Sequence, residues 1–372
     1  QRQMCIRDSA KNVTLNNLYE LWRGLKRNLK GNTFSNYCYM YEQFVADNIG
    51  MLPVTRLKRS DVKGFYNMLA DTRGLKISTI DNIHTVLHQV LQLAVEDNYI
   101  RQNISDNLLK ELKSSHHYED THRRALTISE QELFLDFLSD ESSQYYHWFP
   151  IFTVMVGTGM RVGEVTGLRW EDIDLNAGMI DVNHTLAYYK HRDENGCYFS
   201  IHSPKTRAGR RQIPMTEDVK NAFLLEKKMQ ELGGIHNNVT VDGYQNFIFI
   251  NRFGGVQHQG SLNKALRRII RDCNDKQLLK EKKNPVLLPN FSCHICRHTY
   301  CSNQAKAGMN PKTLQYLMGH SDIGVILNTY THLGLEDAAD ELKRMEELAD
   351  ARKELEKVKG ENPVSQKMFR AI

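Results

Sequence analysis

The stretch from Cys293 to His298 reads CHICRH: two cysteines, two histidines and an arginine in six residues. Thiols with imidazoles are zinc-ligand chemistry, and Cys-x-x-Cys is also the spacing of a redox pair. A structural zinc site takes about four ligands at defined spacing, and the further cysteines nearby are Cys273 and Cys301, without a second close pair. A thioredoxin-like pair follows a strand, and no strand pattern precedes this one. If the segment is helical, Cys293 and Cys296 point different ways, while His294 and Arg297, three residues apart, share a face. A second candidate is TGMRVGEVTGLRWEDIDL, Thr158 to Leu175, which puts Arg161 at a helix start behind a Gly-containing approach. Taken alone it is equally a helix with a surface arginine. The run from His294 to Leu333 adds Gly319-His320-Ser321 and then Tyr330 inside NTYTH.

Arg161, His294, Arg297, His320 and Tyr330, in this order and with these neighbours, resemble the tyrosine recombinase (phage integrase) family over about residues 12–350. KNVTLNNLYELW, SPKTRAGRRQIPM and NTYTHLGLEDAADELKRMEEL look most like integrases of conjugative transposons from Gram-positive bacteria. Residue by residue, the resemblance puts Lys205 of SPKT at the family's catalytic lysine and Glu164 at its usual acidic neighbour. It implies a site-specific recombinase that cleaves and rejoins DNA through a 3'-phosphotyrosine, inserting and excising a mobile element, with no cofactor and no metal. The implied partners are double-stranded DNA, a homo-tetramer on paired sites, an excisionase and a host DNA-bending protein, with no membrane. The competing readings are a chromosome-dimer-type recombinase, a non-cutting DNA-binding relative and a type IB topoisomerase. Transposon-type relatives carry a small further DNA-binding domain ahead of the helical one; the chain has no room for it, so a fragment is expected.

The chemistry of these residue types agrees with that assignment. Cutting a phosphodiester without metal requires cations around oxygens whose charge spreads during in-line attack, and arginine offers a permanently charged planar fork. Arg161 and Arg297 would form this clamp. Tyrosine, with an ordinary pKa near 10, is a poor nucleophile until its proton is accepted or its anion stabilised. His294 is the expected proton acceptor from Tyr330, Lys205 the acid for the leaving 5' oxygen, and His320 a hydrogen-bond donor to a phosphate oxygen. The cysteines then become packing residues around an essential His and Arg.

These residues need two folded units to hold them, which a length of 372 residues allows. The expected class is α+β, mainly helical: a helical core-binding (SAM-like) domain, then a catalytic domain with a small antiparallel sheet. The expected boundaries are 1–11 a disordered or non-native start, 12–113 the helical DNA-binding domain and 114–125 a linker. Residues 126–334 form the catalytic domain, 335–359 a docking helix and 360–372 a tail. About four helices are expected in the first domain; the clearest has Ser78 as cap, with Ile80, Ile83, Leu87, Val90, Leu91 and Ala94 recurring at three and four. A capping box at Ser129–Glu132 starts the second domain, with Leu133, Phe134, Phe137 and Leu138 facing inward. Alternation over 179–190, 197–203 and 210–215 gives three antiparallel strands, and Gly319 is placed as a left-handed C-cap with His320 just outside the helix. Residues 1–117 hold 16 Lys and Arg against 11 Asp and Glu, which accounts for the whole net charge of +5 and hints at a polyanion partner. No apolar run reaches the roughly 18 residues of a membrane span. Seven cysteines without framework spacing suit a reducing compartment, here the bacterial cytoplasm.

Overall fold

The computed structural model describes residues 12–27, 29–115, 124–190, 196–204, 206–280, 284–324, 326 and 327, and positions 343, 345–347, 349, 350, 353 and 354. The chain divides into two compact units, residues 1–122 with 188–198, and residues 123–187 with 199–372.

In the first unit, helix α1 (Leu15–Leu25) starts at a reciprocal cap: Thr14 Oγ1 accepts from the Asn17 amide and Asn17 Oδ1 accepts from the Thr14 amide. Its buried residues Leu15, Leu18, Tyr19 and Trp22 recur at helical spacing. Helix α2 (Gly31–Met40) runs on as a π turn over Tyr41–Val45, and α3 (Arg59–Asn67) as another over Met68–Thr72. Helix α4 (Ile77–Glu96) is the centre of the unit: Ile80, Ile83, Leu87, Val90, Leu91 and Ala94 are all fully buried. Ser78 is not its cap. Lys76 precedes the helix, Ile77 is buried at its first position, and Ser78 lies inside the first turn, its carbonyl accepting from Asn82 Nδ2. With α5 (Leu108–Ser115) the described residues form five helices here rather than four. Helix α3 is short and polar in composition, yet Val62, Phe65 and Tyr66 give it a buried stripe.

The second unit opens with α6 (Ile128–Leu138), whose capping box is Thr127 with Glu130, two residues before the expected one. Glu130 is further held by Arg124 at 2.7 Å, which fixes the box at this register. Phe134 and Leu138 are buried; Leu133 and Phe137 are half-buried against the same core. Helix α7 (Phe149–Thr158) is apolar on every side and buried nearly throughout, and α8 (Val162–Gly167) follows after three residues. Among the described residues five short strands stand where three are expected: β1 (Ile173–Asp174), β2 (Met179–Val182), β3 (Thr185–Lys190), β4 (Cys197–His202) and β5 (Arg211–Pro214), of which residues 188–190 and 197–198 count with the first unit. They form two sheets, β1-β2-β5 and β3-β4. The β2/β5 ladder is antiparallel, with Ile180 opposite Ile213 and Val182 opposite Arg211.

The single strand expected over 179–190 is broken at Asn183-His184. The His184 ring turns inward and bonds the Gly167 carbonyl through Nε2 at 2.6 Å, so the chain leaves one sheet and enters the other. Helices α9 (Glu217–Gly233), α10 (Gln259–Leu278), α11 (Cys293–Lys306) and α12 (Pro311–Met318) complete the unit; α9 and α11 both pack on α7. Asn310 caps α12 and Pro311 occupies its first position, while Gly319 ends it at φ 62° and ψ 42°, the left-handed cap expected there. Within the expected helix 335–359, the described positions 343, 345–347, 349, 350, 353 and 354 are helical. The segments 1–11 and 360–372, and linker residues 116–123, lie outside the described residues. Among the described residues no helix is long and apolar enough to cross a membrane.

Candidate active site

Four of the residues selected from the sequence meet where α7, α8, α11, α12 and β5 come together. Arg161 sits just before α8, and its amide and Nη1 both donate to Glu164, at 2.9 Å each. This is a local consequence of spacing: an acid three residues into a helix reaches back to the residue before it. Arg161 Nη2 donates to the Gly319 carbonyl at 3.1 Å. From α11, Arg297 donates through Nη1 to the Gly159 carbonyl at 2.7 Å and through Nη2 to the Met318 carbonyl at 2.6 Å and to His320 Nε2 at 2.7 Å. Gly159 ends α7 in the left-handed conformation, and a Cβ there would approach Tyr300 to 2.4 Å, so the turn that presents this carbonyl requires glycine.

A fifth residue, Arg211 on β5, was not selected. Its side chain is wholly buried, and it donates to both Glu164 oxygens, at 3.2 and 2.9 Å, and to the Leu317 carbonyl at 2.7 Å. The signal that could have found it is the strand alternation itself. Arg211 shares the inward face with Ile213, and a charged residue on an inward face demands a partner.

Two guanidiniums, Arg161 and Arg211, thus share one carboxylate, and the acceptors of the third, Arg297, are neutral carbonyls and an imidazole. Burial works to raise the Glu164 carboxyl, but the bonds from Arg211 and Arg161 prevail and hold it below the usual range. Burial, and then the charge of Arg161, push the Arg297 guanidinium down to about 9, which leaves it charged at neutral pH. Burial and the arginines Arg297, Arg161 and Arg211 push the His320 imidazole down to about 4. Its ring is therefore neutral near pH 7, and because Nε2 accepts from Arg297, the network assigns the ring proton to Nδ1. Among the described residues Nδ1, which is buried, has no hydrogen-bond partner. Arg161 is the open member of the group, its side chain 41% exposed.

His294 lies on the exposed side of α11, its ring edge-on to His298 at 4.7 Å between centroids. Lys205 and Tyr330 lie outside the described residues. Pro204 and Thr206, on either side of Lys205, join β4 to a 3-10 turn at Arg207–Gly209. Cys293 and Cys296 are buried in the main core of the unit, and Cys301 in a smaller cluster with Tyr300 and Met318. Burial pushes the Cys293 thiol up to about 12 and the Cys296 thiol well above the ordinary value. Among the described residues no group of three or more His, Cys, Asp or Glu is placed to hold a metal ion.

The chain is similar to known proteins in sequence and fold. The model of the phage integrase family matches residues 124–336, a span that contains all the candidate site positions. The transposase from transposon Tn916 of Enterococcus faecalis is 30% identical over 336 residues, covering 90% of this chain and 78% of that protein. The ICEBs1 integrase of Bacillus subtilis is 23% identical over 308 residues, covering 82% and 74%. Among solved structures, the Tn1549 transposon integrase in complex with circular intermediate DNA superposes with a TM-score of 0.73 at 30% identity, over 90% of this chain and 100% of that one. A lambda integrase dimer bound to a core site shares the fold, with a TM-score of 0.62 at 16% identity, over 89% and 81%. The chain belongs to the phage integrase family and is a tyrosine recombinase of the conjugative-transposon type.

Proposed function

We propose that the chain integrates and excises a mobile element by cutting and rejoining double-stranded DNA, with Tyr330 as nucleophile. The observation that carries this reading is the excess of cations at the end of α12: Arg161 and Arg211 share the carboxylate of Glu164, Arg297 beside them bonds neutral carbonyls and an imidazole, and Arg161 stays open. Such a group is incomplete until an anion arrives, and a scissile phosphate matches the fork geometry of Arg161 and Arg297. His320 would donate its unpartnered Nδ1 proton to a nonbridging oxygen. His294 accepts the Tyr330 proton as the phenolate attacks phosphorus, and Lys205 protonates the departing 5' oxygen. The 3'-phosphotyrosine keeps the phosphodiester energy, so a 5' hydroxyl of a second duplex can reverse the step without ATP or metal.

Relatives named for transposons, and the Tn1549 integrase bound to circular intermediate DNA, support a mobile-element role. The lambda integrase tetramer bound to a Holliday junction supports assembly of four copies on paired sites. Residues 12–113 would grip the duplex, residues 126–334 would carry the chemistry, and the segment 335–359 would dock in cis or on a neighbouring copy. An excisionase and a host DNA-bending protein would set direction, in the bacterial cytoplasm. The test is covalent trapping: incubated with a nicked duplex spanning the element–flank junction, the protein should yield a denaturant-stable adduct. Purified protein that binds this duplex and never forms the adduct refutes the reading.

A further inference from the structure

Three consecutive carbonyls at the end of α12 are each held by a different arginine: Leu317 by Arg211 Nε at 2.7 Å, Met318 by Arg297 Nη2 at 2.6 Å and Gly319 by Arg161 Nη2 at 3.1 Å. A helix C-terminus leaves such carbonyls without intrahelical donors, and its partial negative charge attracts cations. Arg211 differs from the other two. Its side chain has no exposed surface, and its nitrogens are engaged with protein oxygens: Nε with Leu317, Nη1 with Glu164 Oε1 and the Gly209 carbonyl, Nη2 with Glu164 Oε2. Glu164 in turn divides its oxygens between Arg211 and the amide and Nη1 of Arg161. The planar fork of Arg211 therefore sets the carboxylate that orients Arg161 and, at a fixed angle from it, the turn that carries His320. The fit is close, since a Cβ on Gly319 would come within 2.8 Å of Arg211 Nη1.

We propose that Arg211 is a positioning residue for DNA strand cleavage, registering the Arg161 guanidinium against the Gly319–His320 turn through Glu164 and the Leu317 carbonyl. The proposal rests on the recombinase reading above. Lysine keeps the charge but cannot hold both partners at a fixed angle.

The test is single-turnover adduct formation on the nicked junction duplex at saturating protein, for wild type, Arg211→Lys, Arg161→Lys and the double variant. Arg211→Lys should slow the step by at least about 30-fold while half-maximal DNA binding moves less than about 3-fold. Because both residues act through one guanidinium, the double variant should be no more than about 2-fold slower than Arg161→Lys alone. A purely structural residue would instead lower the fraction of active protein at an unchanged rate, or its rate loss would multiply with that of Arg161→Lys; either result overturns the proposal. Should Arg211→Lys fail to fold, Glu164→Gln breaks the same link from the other side with a side chain of the same shape. It must then reproduce the slow step and the non-additivity, and a near-normal rate overturns the proposal. A wild-type protein that binds the duplex without forming an adduct overturns the recombinase reading and this proposal together. A wild-type adduct with a fast Arg211→Lys variant overturns the proposal alone.

Discussion

The centre of the first unit and the end of α12 both rest on buried side chains, but opposite forces hold them. Along α4 the packing is apolar, non-directional and redundant: Ile80, Ile83, Val86, Leu87, Val90 and Leu91 each contribute in proportion to the area they hide. Around α12 the buried groups are guanidiniums, a carboxylate and carbonyls, so each contact has an angle as well as a distance, and losing one partner strands another away from water. A helical core of the first kind can weaken without changing shape. A network of the second kind changes geometry as soon as it weakens. The first would therefore set how much protein is folded and, on the function proposed, the second how well each folded molecule reacts.

Variants can break or sharpen this contrast. The largest effect is expected from Tyr330→Phe, which keeps the ring and removes the oxygen: DNA binding should persist while the denaturant-stable adduct disappears altogether. An adduct from this variant would mean another nucleophile. Next, Arg161→Lys should slow cleavage by about 10²- to 10³-fold with little change in melting temperature, because the residue is half in solvent and its value lies in the fork. Cleavage within a few-fold of wild type would remove Arg161 from the clamp.

On the other side of the comparison, Leu87→Ala in the first unit should cost about 2–5 kcal/mol of stability by leaving a cavity, measured by urea titration. The single-turnover rate of the molecules that remain folded should not move; a large loss of rate per folded molecule would dissolve the distinction drawn above.

A further effect of similar or smaller size concerns Glu226, a carboxyl buried on α9 that burial raises to about 7 against the bond from Gln230. Its folded pKa lies above its unfolded one, so its contribution is fully present below about pH 4.5 and is lost as pH rises through 7, by roughly 3 kcal/mol in all. His320 has the opposite sign: lowered to about 4, it contributes stability above the ordinary histidine pKa that is lost as pH falls through 4. Melting temperature followed from pH 5 to pH 8 should fall as pH rises toward 7 for wild type, level off above it, and lose this fall in Glu226→Gln. A parallel fall in both would assign it elsewhere. The smallest effect is expected from EDTA, which should leave cleavage unchanged, as Cys293→Ser with Cys296→Ser should leave the protein folded and at least partly active. Loss on chelation, restored by zinc, would bring the metal reading of CHICRH back.

The same contrast explains what could be read without a structure. The apolar stripe of α4 was legible to the residue, because burial on one helix face is written every three or four positions. Its start was not: Ser78 is a good cap by type, but packing of Ile77 moved the boundary. Likewise Thr127 displaced Ser129 because Arg124 adds a second bond to Glu130. Gly319 was legible because few residues but glycine tolerate its backbone angles. Arg161, Arg297, Glu164 and His320 were found through their motifs, and the structure brings them into one network. Arg211 has no motif of its own, since its partners lie 47 and 106 positions away in the chain. The break at His184 was hidden for the same reason, its partner being a carbonyl 17 residues earlier.

Burial also turns the thiols into timers. Cys197 is exposed, whereas Cys38, Cys273, Cys293, Cys296 and Cys301 are buried, and Cys5 lies outside the described residues. Alkylation proceeds through the thiolate, so a thiol in the dry interior is consumed only while its helix is open. Cys38 reports on the first unit and the other four on the second, so alkylation followed by peptide mass would give two opening rates from one sample. Saturation with a DNA site would slow whichever unit the DNA holds shut, and the sulfurs of CHICRH would record how often the helix carrying Arg297 comes apart.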